Sequence, residues 1–494
     1  MQAIGFDNNK YLRMQSEKIR ERISQFGGKL YLEFGGKLFD DYHASRVLPG
    51  FAPDSKVRML MEMRDEAEII IAISADDIER SKRRGDLGIT YDDDTLRLID
   101  AFQGCGLYVG CVVITHYRGQ TAAEKFQHRL EALGIRVYRH YIIPDYPSDI
   151  ARIVSDDGFG RNDYIETTRS LVVVTAPGPG SGKMATCLSQ LYHEHKRGIR
   201  AGYAKYETFP IWNLPLKHPV NLAYEAATAD LNDVNMIDPF HLEAYGKTTV
   251  NYNRDVEVFP VLNAMFERIQ GTSPYKSPTD MGVNMAGFAI VDDAACQEAS
   301  RQEILRRYYD VQVAYTQGKC DQVPVRKLEL VMRQADVTPD ICPAVAASLA
   351  KAEQTMGPAG AMVLPDGAVV TGKTSTLLGA SAALLLNALK HMAGIDPDMD
   401  LIAPSVIAPI SHMKTTHLGH HNPRLHSDEV LIALAMSGLT NPFAERAQDM
   451  LQSLRGCDAH FTVIINNEDA NLYKRLGINV SCEPKYEIKR LYHK

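Results

Sequence analysis

Five short apolar runs rich in β-favouring residues recur through the first 210 positions, at 29–33, 68–74, 107–115, 137–143 and 171–175. Amphipathic helical patterns separate several of them, as at 94–102 and 122–133. Strands this hydrophobic, alternating with helices, predict a Rossmann-like, doubly wound and mostly parallel sheet covered on both faces. Ligands of such sheets sit at the carboxyl ends of the strands. Polar or glycine residues recur at those ends: Glu33-Phe-Gly35-Gly36-Lys37, Ser74-Ala-Asp76-Asp77, Thr115-His116-Tyr117 and the turn 178–183. Each alone reads equally as turn and cap chemistry. Their recurrence at one edge points to a site.

From about 203 to 295 long apolar runs give way to a dense polar and aromatic segment, which predicts ordered loops of a substrate-type lobe or an oligomer contact. Residues 296–356 carry helical periodicity and predict a helical connector. Residues 357–494 read as a smaller carboxyl-terminal α/β domain, with a hairpin at 361–371, a helix at 377–392 and a strand at 401–410. Helices at 429–436 and 442–454 and a strand at 461–465 complete it. The expected division is therefore 1–295, 296–356 and 357–494.

A chain of 494 residues supports two or three domains, and 45% hydrophobic with 23% charged residues is the composition of a soluble globular protein. The net charge of −7 argues against a general nucleic-acid binder. The opening residues are too polar for a signal peptide, and the longest apolar run, 377–389, is interrupted by Ser381 and Asn387 and falls short of a membrane span. Eight cysteines without a C-x-x-C pair read as scattered core thiols, so a reduced cytoplasmic setting is expected.

The most informative stretch is Ser170-Leu-Val-Val-Val-Thr-Ala-Pro-Gly178-Pro-Gly180-Ser181-Gly182-Lys183-Met-Ala-Thr186. A strand, a glycine turn and a helix N-terminus is the arrangement that cradles phosphate, because glycines let N–H groups approach an anion and the lysine adds charge. Gly178, Gly180, Ser181, Gly182 and Lys183 are the candidate cofactor-binding residues; the alternative is a crossover used for tight packing. The P-loop pattern is degenerate here. Pro177 replaces its first glycine and Met184 its magnesium-binding hydroxyl, while Thr186 comes two residues late. The stretch Gly367-Ala-Val-Val-Thr-Gly372-Lys373-Thr374 satisfies the pattern letter for letter, yet its β-branched middle favours a strand. Thr374 and Ser375 are expected to cap the helix that follows.

The polar lobe offers Lys205, Glu207, His218 and His241 as catalytic candidates, and the segment after Gly36 adds Asp40, Asp41, His43 and Arg46 for acid–base work and phosphate clamping. Asp76-Asp77 and Asp156-Asp157 are oxygen ligands for Mg²⁺ or helix caps. Five of the 16 histidines crowd into 412–426, where His417, His420, His421 and His426 are metal candidates, with Asp428 or Glu429 as an oxygen ligand. Anion binding by Lys414, His417 and Arg424, or plain loop packing, are the alternatives there.

The stretch Tyr31-Leu-Glu-Phe-Gly-Gly-Lys-Leu-Phe-Asp-Asp-Tyr-His-Ala-Ser-Arg-Val-Leu-Pro-Gly-Phe51, with 172–190, 212–220, 233–250 and 273–284, closely resembles an uncharacterised bacterial family known as domain of unknown function 1846. The resemblance spans the chain. It implies an α/β amino-terminal portion, a helical middle and a smaller α/β carboxyl-terminal portion, and no established reaction. The label ATP-dependent peptidase has been attached to members, but neither H-E-x-x-H nor G-x-S-x-G occurs here. The leading expectation is a transferase or ligase-type enzyme that binds a small phosphorylated molecule, with a nucleotide or Mg²⁺ as cofactor. A metal-assisted hydrolase or deaminase using 412–426, and a non-catalytic phospho-ligand sensor or scaffold that signals by homo-oligomer assembly, are the alternatives. No nucleic-acid or membrane partner is expected.

Overall fold

A computed structural model describes residues 4–487 except Lys37, Asp86 and Asn232. Lys37, named above among the strand-end residues, thus lies outside the described residues. Residues 4–224 and 233–297 form one compact unit, and residues 225–231 and 298–487 another.

The amino-terminal unit is built on seven parallel strands: β1 (Leu30–Phe34), β2 (Ala67–Ser74), β3 (Tyr108–Tyr117), β4 (Val137–Tyr141), β5 (Leu171–Thr175), β6 (Gly202–Tyr206) and, after the short antiparallel pair β7 (Asn235–Ile237) and β8 (Val250–Tyr252), β9 (Gly282–Val283). Their order in the sheet is β4-β3-β2-β5-β1-β6-β9. All five strands expected from the hydrophobic runs are present. Every residue of β1, β2 and β5 is buried, as parallel strands covered on both faces must be. The Tyr91–Gly104 helix packs on β2 and β3, and the Lys183–Lys196 helix on β1, β5 and β6.

The chain leaves β1 for β2 on one side and β6 for β9 on the other. It likewise leaves β2 for β3 and β5 for β6 in opposite directions. The sheet therefore has two points, β2/β5 and β1/β6, where neighbouring connections diverge and open a crevice at the carboxyl ends.

The segment expected as long loops is mostly regular. It contains the helices Pro239–Tyr245 and Asn253–Gln270. The second buries Val256, Phe259, Leu262, Met265, Phe266 and Ile269, a helical spacing that the polar residues between them obscure.

In the carboxyl-terminal unit, β10 (Ala359–Val363), β11 (Val369–Lys373), β12 (Asp458–Phe461) and β13 (Asn479–Cys482) form a sheet of order β11-β10-β12-β13. β10 and β11 are the expected hairpin. Met362, Leu384, Leu385, Leu389, Val430, Leu434, Phe461 and Tyr473 fill the core. The expected strand at 401–410 is instead the helix Pro404–His412, with proline at its first turn. Its β-branched residues suggested a strand, but Pro409 has no N–H to give a sheet. The expected strand at 461–465 lies earlier, as β12. Ser375 does not cap a helix: its Oγ accepts from the N–H groups of Leu377 and Leu378 at 3.2 and 3.0 Å, and the helix begins at Ala380.

Among the described residues, no helix is long and apolar enough to cross a membrane. The eight cysteines form no disulfide, and six of them, Cys111, Cys187, Cys296, Cys342, Cys457 and Cys482, are buried.

Gly372 of the literal P-loop pattern lies in β11, against the Ala380–Met392 helix. A Cβ there would stand 2.2 Å from the backbone nitrogen of Leu384. Its glycine serves packing, not phosphate. Gly372→Ala is expected to destabilise the carboxyl-terminal unit by about 1–3 kcal/mol through overpacking, read as a lower midpoint in chemical denaturation, with no change in any phosphate binding.

Candidate functional site

The turn after β5 lies at the β2/β5 divergence. Gly180 and Gly182 adopt left-handed backbone, φ 78° and 84°, and Gly182 is the N-cap of the Lys183–Lys196 helix. Three hydroxyls hold three carbonyls of the turn. Thr115 of β3 donates to the carbonyl of Ser181 at 2.8 Å, Ser181 to that of Gly178 at 2.9 Å, and Thr186 to that of Gly182 at 3.0 Å. Gly178 is also sterically required, since a Cβ there would stand 2.2 Å from the Tyr91 hydroxyl oxygen. With those carbonyls engaged, no described residue accepts a hydrogen bond from the N–H groups of Gly178, Gly180, Ser181, Gly182 or Lys183. The half-buried Lys183 side chain likewise has neither an ion pair nor a hydrogen bond among the described residues. What the turn has to offer is donors and positive charge.

Beside it, His116 takes a left-handed conformation at φ 52°, uncommon without glycine, and its Nδ1 lies 3.2 Å from Oγ of Ser74 at the end of β2. Lys82 stands 4.9 Å from the centre of the Tyr91 ring, adding a cation close to the turn.

The β1/β6 divergence holds a buried ionic cluster. Register places Glu33 of β1 beside Lys205 of β6. Lys205 Nζ donates to the Asp255 carboxylate and the Tyr252 hydroxyl, and stands 2.9 Å from Oε1 of Glu207. Tyr252 donates to Glu207 at 3.3 Å, and Tyr203 to Glu33 at 2.7 Å. Side-chain exposures of 13% for Lys205, 4% for Glu207 and 11% for Asp255 leave the cluster largely dry but not sealed. One lysine thus pairs with two carboxylates and feels the charge of a third, Glu33. Burial pushes the Glu207 carboxyl up, Lys205 pulls it down and Asp255 pushes it up again, with a net rise to about 7. Burial alone would lower Lys205, but Asp255 and Glu207 outweigh it and hold the ammonium charged well above its ordinary value. A fixed cation beside a carboxyl that exchanges its proton near neutrality is equipped for general acid–base chemistry. Glu33 links the cluster to the turn. Burial and Glu33 push up the thiol of Cys187, one helical turn beyond Lys183, while Lys183 pulls it down.

The other expected residues divide. The His43 ring meets Phe209 at 5.2 Å, Phe209 stacks on Tyr224 at 5.6 Å, and Tyr224 lies 6.3 Å from Tyr252, an aromatic wall beside Lys205. His218 accepts from the Val220 N–H, and its Nε2 lies 3.0 Å from Asp293, off the line a hydrogen bond needs. His241 pairs with Ser277 at 2.9 Å and packs on Tyr245. Neither of these two histidines contacts Lys205 or Glu207. Asp41 caps a helix and pairs with Lys56, Asp76 pairs with Arg118, and Asp156 with Lys196.

The histidine loop belongs to the carboxyl-terminal unit, whereas the glycine turn belongs to the amino-terminal one. His412 and His417 meet edge to face, His420 and His421 are exposed, and His426 accepts from Asn466 at 2.8 Å. Among the described residues, no three His, Cys, Asp or Glu side chains converge as a metal requires. His417, His420, His421 and His426 are not brought together. The loop is organised instead by Lys414, which is buried and donates to Glu429 and to the Arg424 carbonyl, both at 2.8 Å. Arg424 pairs with Glu487, so neither cation of the expected anion site is unengaged.

Sequence reasoning passed over Tyr91 and Lys82 beside the turn, and Tyr252 and Asp255 in the ionic cluster. Thr115 and His116 were visible only as strand-end polars. Asp255 carried a usable signal: it is an acid one residue before the apolar face that starts at Val256.

Residues 4–336 match the family described as Domain of unknown function DUF1846, N-terminal, and residues 340–492 match Domain of unknown function DUF1846, C-terminal. Similar proteins include UPF0371 proteins of Streptococcus thermophilus and Streptococcus pyogenes, each 58% identical over 494 residues and covering all of both chains. The chain belongs to the DUF1846 family. None of these descriptions states a reaction.

The Glu207 carboxyl binds its proton more tightly in the folded chain than in the unfolded one. Its contribution to stability is complete below about pH 4.5 and is lost as pH rises through about 7. Glu207→Gln removes that dependence. Urea denaturation at pH 5 and pH 8 is expected to show the wild type losing roughly 1–3 kcal/mol more than the variant between the two; parallel profiles would contradict the assignment.

Proposed function

We propose that this member of the DUF1846 family is an enzyme that holds a phosphorylated metabolite or nucleotide on the 178–183 turn. The observation that carries the reading is the hydrogen-bond accounting of the turn. Carbonyls of Gly178, Ser181 and Gly182 are taken by hydroxyls, and five N–H groups are left with no described acceptor, beside a Lys183 that has no ion pair among the described residues. N–H groups that the chain leaves unclaimed at a helix N-terminus point their donors outward together, and an anion there satisfies them at once.

The Lys205–Glu207–Asp255–Tyr252 cluster supplies the chemistry. Glu207 gives or takes the proton of the reacting group, and Lys205 stabilises negative charge that develops beside it. Phosphoryl or nucleotidyl transfer, or ligase-type activation, suits an anion cradle and a proton-exchanging carboxyl at two crevices of the same sheet edge. That carboxyl also favours turnover over a binding-only sensor. The turn offers Mg²⁺ no exposed hydroxyl, because Ser181 and Thr186 are both fully buried and Met184 stands at the hydroxyl position of a P-loop.

The test is a thermal-shift panel of nucleotides, sugar phosphates and coenzymes, with and without Mg²⁺, on the wild type and Lys183→Ala. A ligand at a hundred times its dissociation constant adds about 2.7 kcal/mol. That stabilisation is expected in the wild type and is expected to vanish in the variant. An equal response from both, or no response to any phosphorylated compound, would refute the reading.

A further inference from the structure

The carboxyl end of β3 is built irregularly. Ile114 opposes Arg139 of β4 and Tyr117 opposes Tyr141, so β3 carries one residue more than its partner between these pairs. The extra length is taken up at Thr115–His116, where His116 adopts φ 52°. A bulge re-aims side chains and is rare between parallel strands, and left-handed backbone is costly for a residue with a Cβ. The surrounding loop imposes it. Gln120 Nε2 donates to the His116 carbonyl at 2.9 Å and to Asp76 at 3.0 Å, and Arg118 pairs with Asp76. In a regular strand neighbouring side chains point to opposite faces. Here two neighbours reach the same crevice. Thr115 Oγ1 lies 2.8 Å from the Ser181 carbonyl of the glycine turn and 3.4 Å from His116 Nδ1. The imidazole leans across the end of β2, with Nδ1 3.2 Å from Ser74 Oγ.

We infer that His116 is a ligand-contacting residue whose Nε2 donates to the phosphate held on the 178–183 turn, an inference that rests on the proposed reading of that turn. The Nδ1 edge of the ring is fixed against two hydroxyls, which turns Nε2 away from them. His116 is exposed, and its Nε2 has no hydrogen-bond partner among the described residues. An imidazole beside an anion takes a proton on each nitrogen and donates from both. The acids that follow β2 are already engaged, Asp76 by Arg118 and Gln120 and Asp77 by Lys82. The phosphate is met from two sides, by N–H groups and Lys183 from β5 and by the imidazole from β3. The left-handed backbone is the cost of presenting that ring.

Isothermal titration calorimetry of the full-length chain with inorganic pyrophosphate, paired with urea denaturation of the free protein, tests this. His116→Gly and His116→Asn both suit left-handed backbone, and asparagine is too short to replace Nε2. Each is expected to weaken pyrophosphate by at least about tenfold, the loss of one hydrogen bond to a charged group. The urea midpoint of the free protein is expected to stay level in both and to rise in His116→Gly, whereas a residue kept for structure would lower it. Binding within about threefold of wild type in either variant, or a lower midpoint accompanying the loss, would overturn the inference. If Lys183→Ala loses binding in that same series, the reading of the turn stands without it. Binding that Lys183→Ala leaves intact, or none in the wild type, would overturn both.

Discussion

A parallel sheet buried on both faces leaves little freedom in where chemistry can sit. β1, β2 and β5 spend every side chain on packing, so polar groups are admitted only where the strands end. Strand order then decides which ends matter. Because β5 inserts between β2 and β1, connections diverge on either side of the β5–β1 pair, and the two crevices are about two strand spacings apart, on the order of 10 Å. The donor-rich turn occupies one crevice and the ionic cluster the other. Cys187 and Glu33 lie electrostatically between them.

Two buried lysines show how carboxylate supply separates architecture from chemistry. Lys414 is matched by one carboxylate, Glu429, and one carbonyl, and the pair pins a loop. Lys205 is surrounded by Glu33, Glu207 and Asp255, an acidic excess that burial makes expensive. That excess is relieved by leaving a proton on Glu207 near neutrality. A carboxyl whose proton is exchangeable near neutrality is what the proposed proton transfer would use.

The parts of this protein governed by local periodicity were legible in its sequence. The five amino-terminal strands, the hairpin of β10 and β11 and the three helices that fill most of 296–356 follow from patterns of two and 3.6 residues. The reading failed where local signals conflicted. Val406, Ile407 and Ile410 suggested a strand in a segment whose prolines demand a helix, and polar residues masked the buried face of the Asn253–Gln270 helix. The candidate site was half legible. Lys205 and Glu207 were visible because they follow a strand, but Asp255 and Tyr252 join them only through packing some fifty positions away. The glycine turn was visible as glycines and a lysine. That its carbonyls would be claimed by Thr115, Ser181 and Thr186 depends on a hydroxyl brought in by a strand sixty-six residues earlier.

The central claim is that the turn is a donor array waiting for an anion, and amide hydrogen exchange reads those donors directly. Exchange into the full-length protein is followed by mass spectrometry with and without inorganic pyrophosphate, with chloride held at matched ionic strength. Slowed exchange concentrated in peptides covering 178–184 is the result this account predicts. Unchanged exchange there at saturating pyrophosphate would contradict it, and the turn would then be a packing device between β5 and its helix.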